Sequence, residues 1–470
     1  MSIGNIINNV WAAVQAPYLR RSESASVIDT IDQSIGNGYS FTELDNNNPP
    51  NELETVGVDT DNLFKLGAAV QTPIRDSMTV HLYPNANQVN QTFFVNPTGK
   101  PLAISGLQCI FTTAGTIAGA TASISHETCL TQPIVAGTSL SQATGTGKSV
   151  QTGTFNLHAT AETNQVGVLA SPYQRQTRMV NVAAPNPGTG VIVLQAGDSL
   201  SIVFAGTLTT LVGVTITINF FPGSKYTFVS YFAAAAGTAA TTSLMTSLRP
   251  RTLLYGAALW QAAETSASTL TLNVTKDASG TAPGAGTAML ASTVNLKGTA
   301  LTYQQLALSA TAANLSTIAT DSVAVLISAS STQLAGLCVT LAFNGTPGET
   351  MVNYNAANST VGTSEEFWIA DRDYEVADFS GKWSVVGGTG AVAAVTVDTG
   401  TQTPSTGTII QTDNTNTGFL TSGTVNVPVF ATLAALHTRF IRQGQRLGIL
   451  AGGTTGTLAG LQISLRLIGR

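Results

Sequence analysis

Apolar and polar residues alternate with a period of two along most of this chain, as in strands with one face buried and the other wet or covered by a partner. The pattern is clearest in three segments: AGDSLSIVFAGTLTTLVGVTITINF (196–220), ATDSVAVLISASSTQLAGLCVTLAF (319–343) and QGQRLGILAGGTTGTLAGLQISLRL (443–467). They align without a gap, at offsets of 123 and 124 residues. Leu211, Leu334 and Leu458 coincide, as do Gly213, Gly336 and Gly460. Each segment reads as a turn, an alternating strand (Leu200, Ile202, Phe204), a Thr/Ser/Gly-rich hairpin and a second strand (Val214, Ile216, Ile218). Two further signals follow the same repeat. Trp260 and Trp383 are 123 residues apart, each at the end of a strand expected to open its copy. TFNL (154–157), TVNL (293–296) and TVNV (424–427) read as another short strand.

An internal repeat of this length predicts three tandem domains: residues 77–223, 224–348 and 349–470. Each has room for an eight-stranded antiparallel β-sandwich of jelly-roll type, with no convincing helix. Pro222-Gly223-Ser224 and Pro347-Gly348-Glu349 read as short linkers, so the domains should be closely coupled. The first copy is the longest, and its extra length falls at 171–190, a stretch expected to be a surface loop where specific contacts concentrate.

Residues 1–76 match none of the copies and form an N-terminal anchoring arm. Ile3, Ile6, Ile7, Val10, Trp11 and Val14 recur at helical spacing, with Ser2 as a possible N-cap and Pro17 as a stop. A short amphipathic helix without charge is marginal alone, so its apolar face is expected to dock on another protein chain. Behind it lie NNNPP (46–50) and Glu52, Glu54, Asp59 and Asp61, which read as extended chain.

Composition turns this fold reading toward assembly. Charged residues make up 10% of the chain, against roughly 25% in soluble domains. A surface so poor in charge needs covering, which points to a subunit of a larger structure. Net charge is −5, against the basic balance of a nucleic-acid-binding protein. Residues 1–76 carry 10 acids and 4 bases, a net of −6. At the other terminus Arg439, Arg442, Arg446, Arg466 and Arg470 run without an intervening acid. Acidic arm and basic edge could meet across a subunit boundary. The N-terminus lacks a signal-peptide pattern and no apolar run approaches the ~20 residues of a membrane span, so synthesis and assembly in a cytoplasm are expected, without membrane contact.

Motifs that imitate chemistry fail on their spacing. Gly145-Thr146-Gly147-Lys148-Ser149 resembles the end of a phosphate loop, but Gln142 stands where the first Gly belongs and no helix pattern follows. His126-Glu127 starts like a zinc-protease helix, yet Leu130 occupies the second His position. His81, His158 and His437 are isolated in sequence, so no metal site is expected. Glu365-Glu366 and Asp371-Arg372-Asp373 form the densest acidic cluster and read as a solvated or salt-bridged loop, not a glycosidase pair. Cys109, Cys129 and Cys338 fit buried free thiols, not a disulfide framework. Neither catalysis nor a cofactor is expected.

Stretches such as TLTLNVTKDASGTAPGAGTAMLASTVNLKGTA (269–300), followed by D-S-V (321–323) and L-A-G-L (334–337), resemble a small jelly-roll module of tailed-bacteriophage virion proteins. The resemblance implies a virion structural role: a capsid cement or decoration protein on the capsid exterior, bridging capsomers through its arm and domain edges. Its partners would be the major capsid protein and copies of itself, as a homotrimer. The alternative is a head or tail fibre or adaptor whose jelly roll binds a host surface glycan. Against that alternative, aromatic residues are only 7% of the chain, and the third copy has just Trp368, Tyr374 and Trp383 close in sequence.

Overall fold

The computed structural model describes residues 76–470 apart from 83–89, 116–118, 129–137, 140–142, 171–191, 222–225, 234, 266–268, 347, 356–364, 389–391, 401, 404–405, 413–418, 421–423, 435–438, 453–457 and 470. The arm residues Ile3, Ile6, Ile7, Val10, Trp11 and Val14, the loop at 171–190, Cys129, His437 and Arg470 therefore lie outside the described residues.

The chain is all-β and its described strands pair antiparallel throughout. The first eleven are β1 (Asp76–Leu82), β2 (Gln91–Val95), β3 (Leu102–Ile110), β4 (Thr121–Glu127), β5 (Thr138–Ser139), β6 (Lys148–Ser149), β7 (Phe155–Asn156), β8 (Gln165–Gly167), β9 (Ile192–Leu194), β10 (Ser199–Ala205) and β11 (Val214–Phe221). One sheet runs β9-β3-β11-β1 with β8 also on β3, and its mate runs β2-β10-β4-β6 with β7 also on β4. Setting aside β5, which pairs in the second sandwich's sheet, and counting β6/β7 and β8/β9 as one position each leaves eight positions. One sheet takes the first, eighth, third and sixth, the other the second, seventh, fourth and fifth. That interleaving is the jelly roll.

The same order recurs twice. The second sandwich comprises β12 (Tyr226–Ala233), β13 (Thr242–Thr246), β14 (Arg251–Leu259), β15 (Thr271–Asp277), β16 (Thr287–Ala288), β17 (Val294–Asn295), β18 (Thr302–Gln305), a single helical turn α1 (Ala312–Leu315), β19 (Ser316–Thr317), β20 (Ser322–Ile327) and β21 (Leu337–Asn344). The third comprises β22 (Glu349–Asn355), β23 (Glu365–Ile369), β24 (Tyr374–Lys382), β25 (Val392–Asp398), β26 (Thr408–Ile409), β27 (Phe419–Leu420), β28 (Val429–Phe430), β29 (Phe440–Ile441), β30 (Arg446–Gly452) and β31 (Gln462–Gly469). Their sheets run β12-β21-β14-β18 with β13-β20-β15-β16, and β22-β31-β24-β28 with β23-β30-β25-β26. Even irregularities repeat: the pairing slips at Phe93, Leu244 and Phe367, one bulge in the second strand of each sandwich.

Three aligned features of the sequence gain a physical cause. Leu211, Leu334 and Leu458 are buried. Gly213, Gly336 and Gly460 all have left-handed backbones, with φ of +68°, +63° and +62°, and an added Cβ would collide with Thr112, Gln261 and Ser384 respectively. Only glycine fits both conditions. Trp260 and Trp383 are buried at the end of the third strand of their copies, and Phe111 fills that place in the first. The main-chain carbonyls of Phe111, Trp260 and Trp383 accept from the N–H of Glu162, Leu301 and Asn426, three non-glycine residues with φ of 60°, 52° and 61°.

Three expectations are corrected. The aligned segments are not hairpins: β10 and β11 belong to opposite sheets, as do β20 and β21, and β30 and β31. Alternation reports only that one face is buried, which holds equally for an arch across the sandwich. The connection 206–213 exceeds the two to five residues of an ordinary hairpin loop. TVNV is likewise no counterpart of TFNL and TVNL. Those form β7 and β17, whereas Asn426 occupies the left-handed position of Glu162 and Leu301. The strands that Trp260 and Trp383 follow are third, not first, in their copies.

Residues 75–470 form one compact unit in which the sandwiches close head to tail. Edge strand β2 of the first lies on β21, β12 and β14 of the second. Edge strand β13 of the second lies on β31 and β22 of the third. Edge strand β23 of the third lies on β11, β1 and β3 of the first. The three opening strands β1, β12 and β22 touch one another at the centre. A heterologous contact repeated three times has closed into a ring, within a single chain. Among the described residues no helix is long and apolar enough to cross a membrane.

Candidate functional site

Covering each edge strand with the next sandwich removes an exposed template for aggregation, so the three joints are the places where specific side chains matter most. Two are built alike. The N–H of Val95, last in β2, donates to Thr340 Oγ1 at 3.0 Å, and that of Thr246, last in β13, donates to Ser464 Oγ at 2.9 Å. Thr340 and Ser464 are aligned in the repeat. The third member, Thr217, keeps its buried hydroxyl without a partner, and Thr215 donates instead to the Glu366 carbonyl at 2.7 Å.

The joint between the first and second sandwiches is apolar. Val95 packs with Ala257, Leu259, Tyr303 and Cys338, all buried. Phe94 stacks on Phe220 with centroids 4.7 Å apart, and Phe228 of the second sandwich meets Phe94 edge-on at 5.3 Å. The first sandwich also lends β5, which pairs with Thr302 and Tyr303 and so extends the second sandwich's sheet. Burial pushes the Cys338 thiol up to about 12 and raises that of Cys109 as well, so both are inert thiols.

The other two joints are polar, and one carboxylate per sandwich explains how. Glu127, Asp277 and Asp398 end the fourth strand of their copies, each fully buried. Each accepts from a glycine N–H in the following loop: Gly145 at 2.9 Å, Gly284 and Gly286 at 3.1 and 2.9 Å, and Gly407 at 2.6 Å. At Gly147, Gly286 and Gly407 an added Cβ would strike the carbonyl of the fourth strand, so the loop is pinned by close backbone approach. What faces the acid then differs. Glu127 meets the hydroxyls of Ser199 and Ser201 at 3.3 and 2.8 Å. Asp277 attracts Lys382 of the third sandwich, a buried ammonium lowered to about 8 chiefly by burial. Asp398 pairs in register with Arg446, which stands where the other copies have Ser199 and Ser322.

Arg446 is 1% exposed and centres the joint between the third and first sandwiches. It donates to the carbonyls of Glu162 at 2.7 Å and Gln402 at 2.9 Å. Its guanidinium lies 3.5 Å from the Glu162 carboxylate and 3.3 Å from that of Glu366. Burial, together with Asp398 and Glu162 nearby, pushes Glu366 up to about 9 against the pull of Arg446. Glu162 rises to about 7 for the same first reason. A second cluster gathers Arg249, Arg251 and Arg466 around Glu349, with Arg251 at 3.5 Å and Arg466 at 2.8 Å. Arg466 also pairs with Asp378.

The arginines grouped as one basic edge are therefore dispersed. Arg446 is buried in a joint, Arg466 belongs to the Glu349 cluster, Arg439 pairs with Glu375 at 3.1 Å, and Arg442 is exposed, 3.9 Å from Asp373. The acids they meet lie up to 284 residues away in the chain, as for Arg446 and Glu162, which a local reading of charge cannot see. Glu366 is likewise no loop residue: it sits in β23, fully buried. Asp371 accepts from the Tyr374 hydroxyl at 2.7 Å. Lys148 and Ser149 form a strand, and His126 is a buried partner of Asp198 at 2.9 Å. Among the described residues no group of three or more His, Cys, Asp or Glu could hold a metal ion. The recurring acid before a Gly-x-Gly or Gly was present in the sequence at 127, 277 and 398. It stays hidden when the copies are aligned only on their last two strands.

These arrangements tie sandwich to sandwich. No protein-family model matches the chain, and no curated protein matches it. Among solved structures, that of infectious bursal disease virus Gx strain aligns over 85% of this chain and 80% of that one at 10% identity. Its TM-score is 0.16, too low to carry an argument about fold or function.

Proposed function

We propose that this protein is a non-enzymatic structural component of a virus particle, a cement or decoration protein that bridges capsomers of a tailed-phage capsid from the outside. The observation that carries the reading is the closed ring of three jelly rolls in one chain. Such a ring offers three geometrically similar outer edges and fits a position where three capsomers meet, one chain taking the place of a homotrimer. Buried Arg446, Glu366 and Lys382 are spent on joints between sandwiches, which suits a structural block better than a catalyst. The glycan-binding alternative loses its platform, since Trp368, Tyr374 and Trp383 are at most 1% exposed and cannot stack on a sugar.

In this reading the arm anchors the ring. Ile3, Ile6, Ile7, Val10, Trp11 and Val14 would form one apolar face against the major capsid protein, with the acidic stretch behind it as a strap sensitive to salt. Removal of residues 1–16 is expected to leave the ring's unfolding midpoint unchanged while binding to undecorated particles falls by more than tenfold. Co-sedimentation with particles measures it. Undiminished binding would remove the anchoring role from the arm.

A further inference from the structure

Two joints of the ring connect sandwiches that follow one another in the chain, through the short segments 222–225 and 345–348. The third joins the first sandwich to the third, with no peptide link between them. It is also where buried charge is out of balance. Glu162 and Glu366 flank one guanidinium, that of Arg446, and Asp398 lies opposite Arg446 in the sheet and near Glu366. Neither carboxyl oxygen of Glu366 has a hydrogen-bond partner among the described residues, so nothing but the nearby guanidinium offsets the cost of charging it there, and Asp398 beside it raises that cost. Glu162 is held there in a left-handed conformation at φ 60°.

We propose that this closing joint is a proton-operated latch: it holds while Glu162 and Glu366 retain protons, and releases when both ionise beside Asp398 with Arg446 alone to oppose them.

Among the described side chains, Arg446 is the cation in contact with Glu366. Its own sheet supplies Arg446 from β30 and Asp398 from β25. Of the first-sandwich strands on β23, β11 and β3 carry no Asp, Glu, Lys, Arg or His, and β1 carries Asp76 and His81. The loop of the first sandwich supplies Glu162. Both glutamates bind protons more tightly in the closed joint than their ordinary value of 4.5, so protons stabilise closure. That contribution is complete below about pH 4.5 and is lost as pH rises through about 7 for Glu162 and about 9 for Glu366. Like charges left in a dry site repel, and water enters to solvate them. The apolar joint between the first and second sandwiches lacks such a cluster. In the joint between the second and third sandwiches Lys382 binds its proton less tightly than usual, so rising pH does not loosen that joint. Opening is thus confined to the joint of the first and third sandwiches, turning the ring into an open chain of three folded sandwiches.

The test is energy transfer between pH-insensitive dyes on the full chain. Cysteines replace Thr160 and Thr403, exposed residues of the first and third sandwiches, in a Cys129→Ser background that leaves only buried Cys109 and Cys338. Transfer should be high at about pH 6, fall between about pH 7 and 9.5, and return on re-acidification, with β-sheet circular dichroism unchanged. Glu366→Gln, neutral at every pH, should keep transfer high throughout. If that variant does not fold, Glu162→Gln serves, moving the fall to higher pH. Constant wild-type transfer up to about pH 10 would overturn the proposal. So would a glutamine variant that opens at the same pH as the parent.

Discussion

Arg446→Ala should destabilise the protein by about 3–5 kcal/mol at pH 7, one of the two largest single-residue effects expected. The side chain is 1% exposed, donates to two main-chain carbonyls from different sandwiches and lies beside two carboxylates. Its removal leaves both carbonyls without their donor and whatever carboxylate charge the cluster carries at pH 7 without a counter-charge. Breaking one partner of a buried network costs far more than the intact network contributes. The same logic predicts partial rescue. Adding Glu162→Gln and Glu366→Gln to Arg446→Ala should recover part of the loss, because neither position can then ionise without a partner. Urea unfolding of the single and triple variants measures both effects. Equal stability of Arg446→Ala and the wild type would show that the joint contributes nothing to folding.

Trp260→Ala should cost about 3–5 kcal/mol as well, by a different mechanism. The indole is 1% exposed at the end of β14, within the second sandwich's core, and its N–H reaches the Gly298 carbonyl at 3.3 Å. Alanine leaves a large void in the core that Trp260 shares with Leu296 and Leu334. Trp383→Ala should behave likewise in the third sandwich, whereas Val166→Ala, at a site 68% exposed, should change stability by less than about 0.5 kcal/mol. Urea midpoints for the three variants decide it. A small loss at Trp260 would mean that the core refills the space.

Much of this fold could be read in the residues, and what could not has a common cause. Leu200, Ile202 and Ile216 announced strands because burial on one face imposes a period of two, whatever the strand pairs with. That same indifference hid the arch between β10 and β11, which read as a hairpin. Gly213, Gly336 and Gly460 revealed the repeat because a left-handed turn and a tight approach exclude every other residue. The joints stayed invisible. Val95 meets Thr340 across 245 residues and Arg446 meets Glu162 across 284. Nothing local in a strand marks which edge the next sandwich will cover. Charge misled for the same reason: five arginines close in sequence looked like one edge, while Arg446 and Arg466 turn to separate acids in separate joints.

The central claim, that one chain supplies three jelly rolls as a closed structural block of a virion, is tested most directly by electron microscopy of intact particles. A reconstruction with three-fold averaging relaxed should contain a three-lobed density on the outer surface where three capsomers meet. That density should fit one copy of residues 76–470, with the lobe between 349 and 469 closing back on that between 76 and 221. Particles bearing three copies at such a position, or no copy at all, would contradict the account.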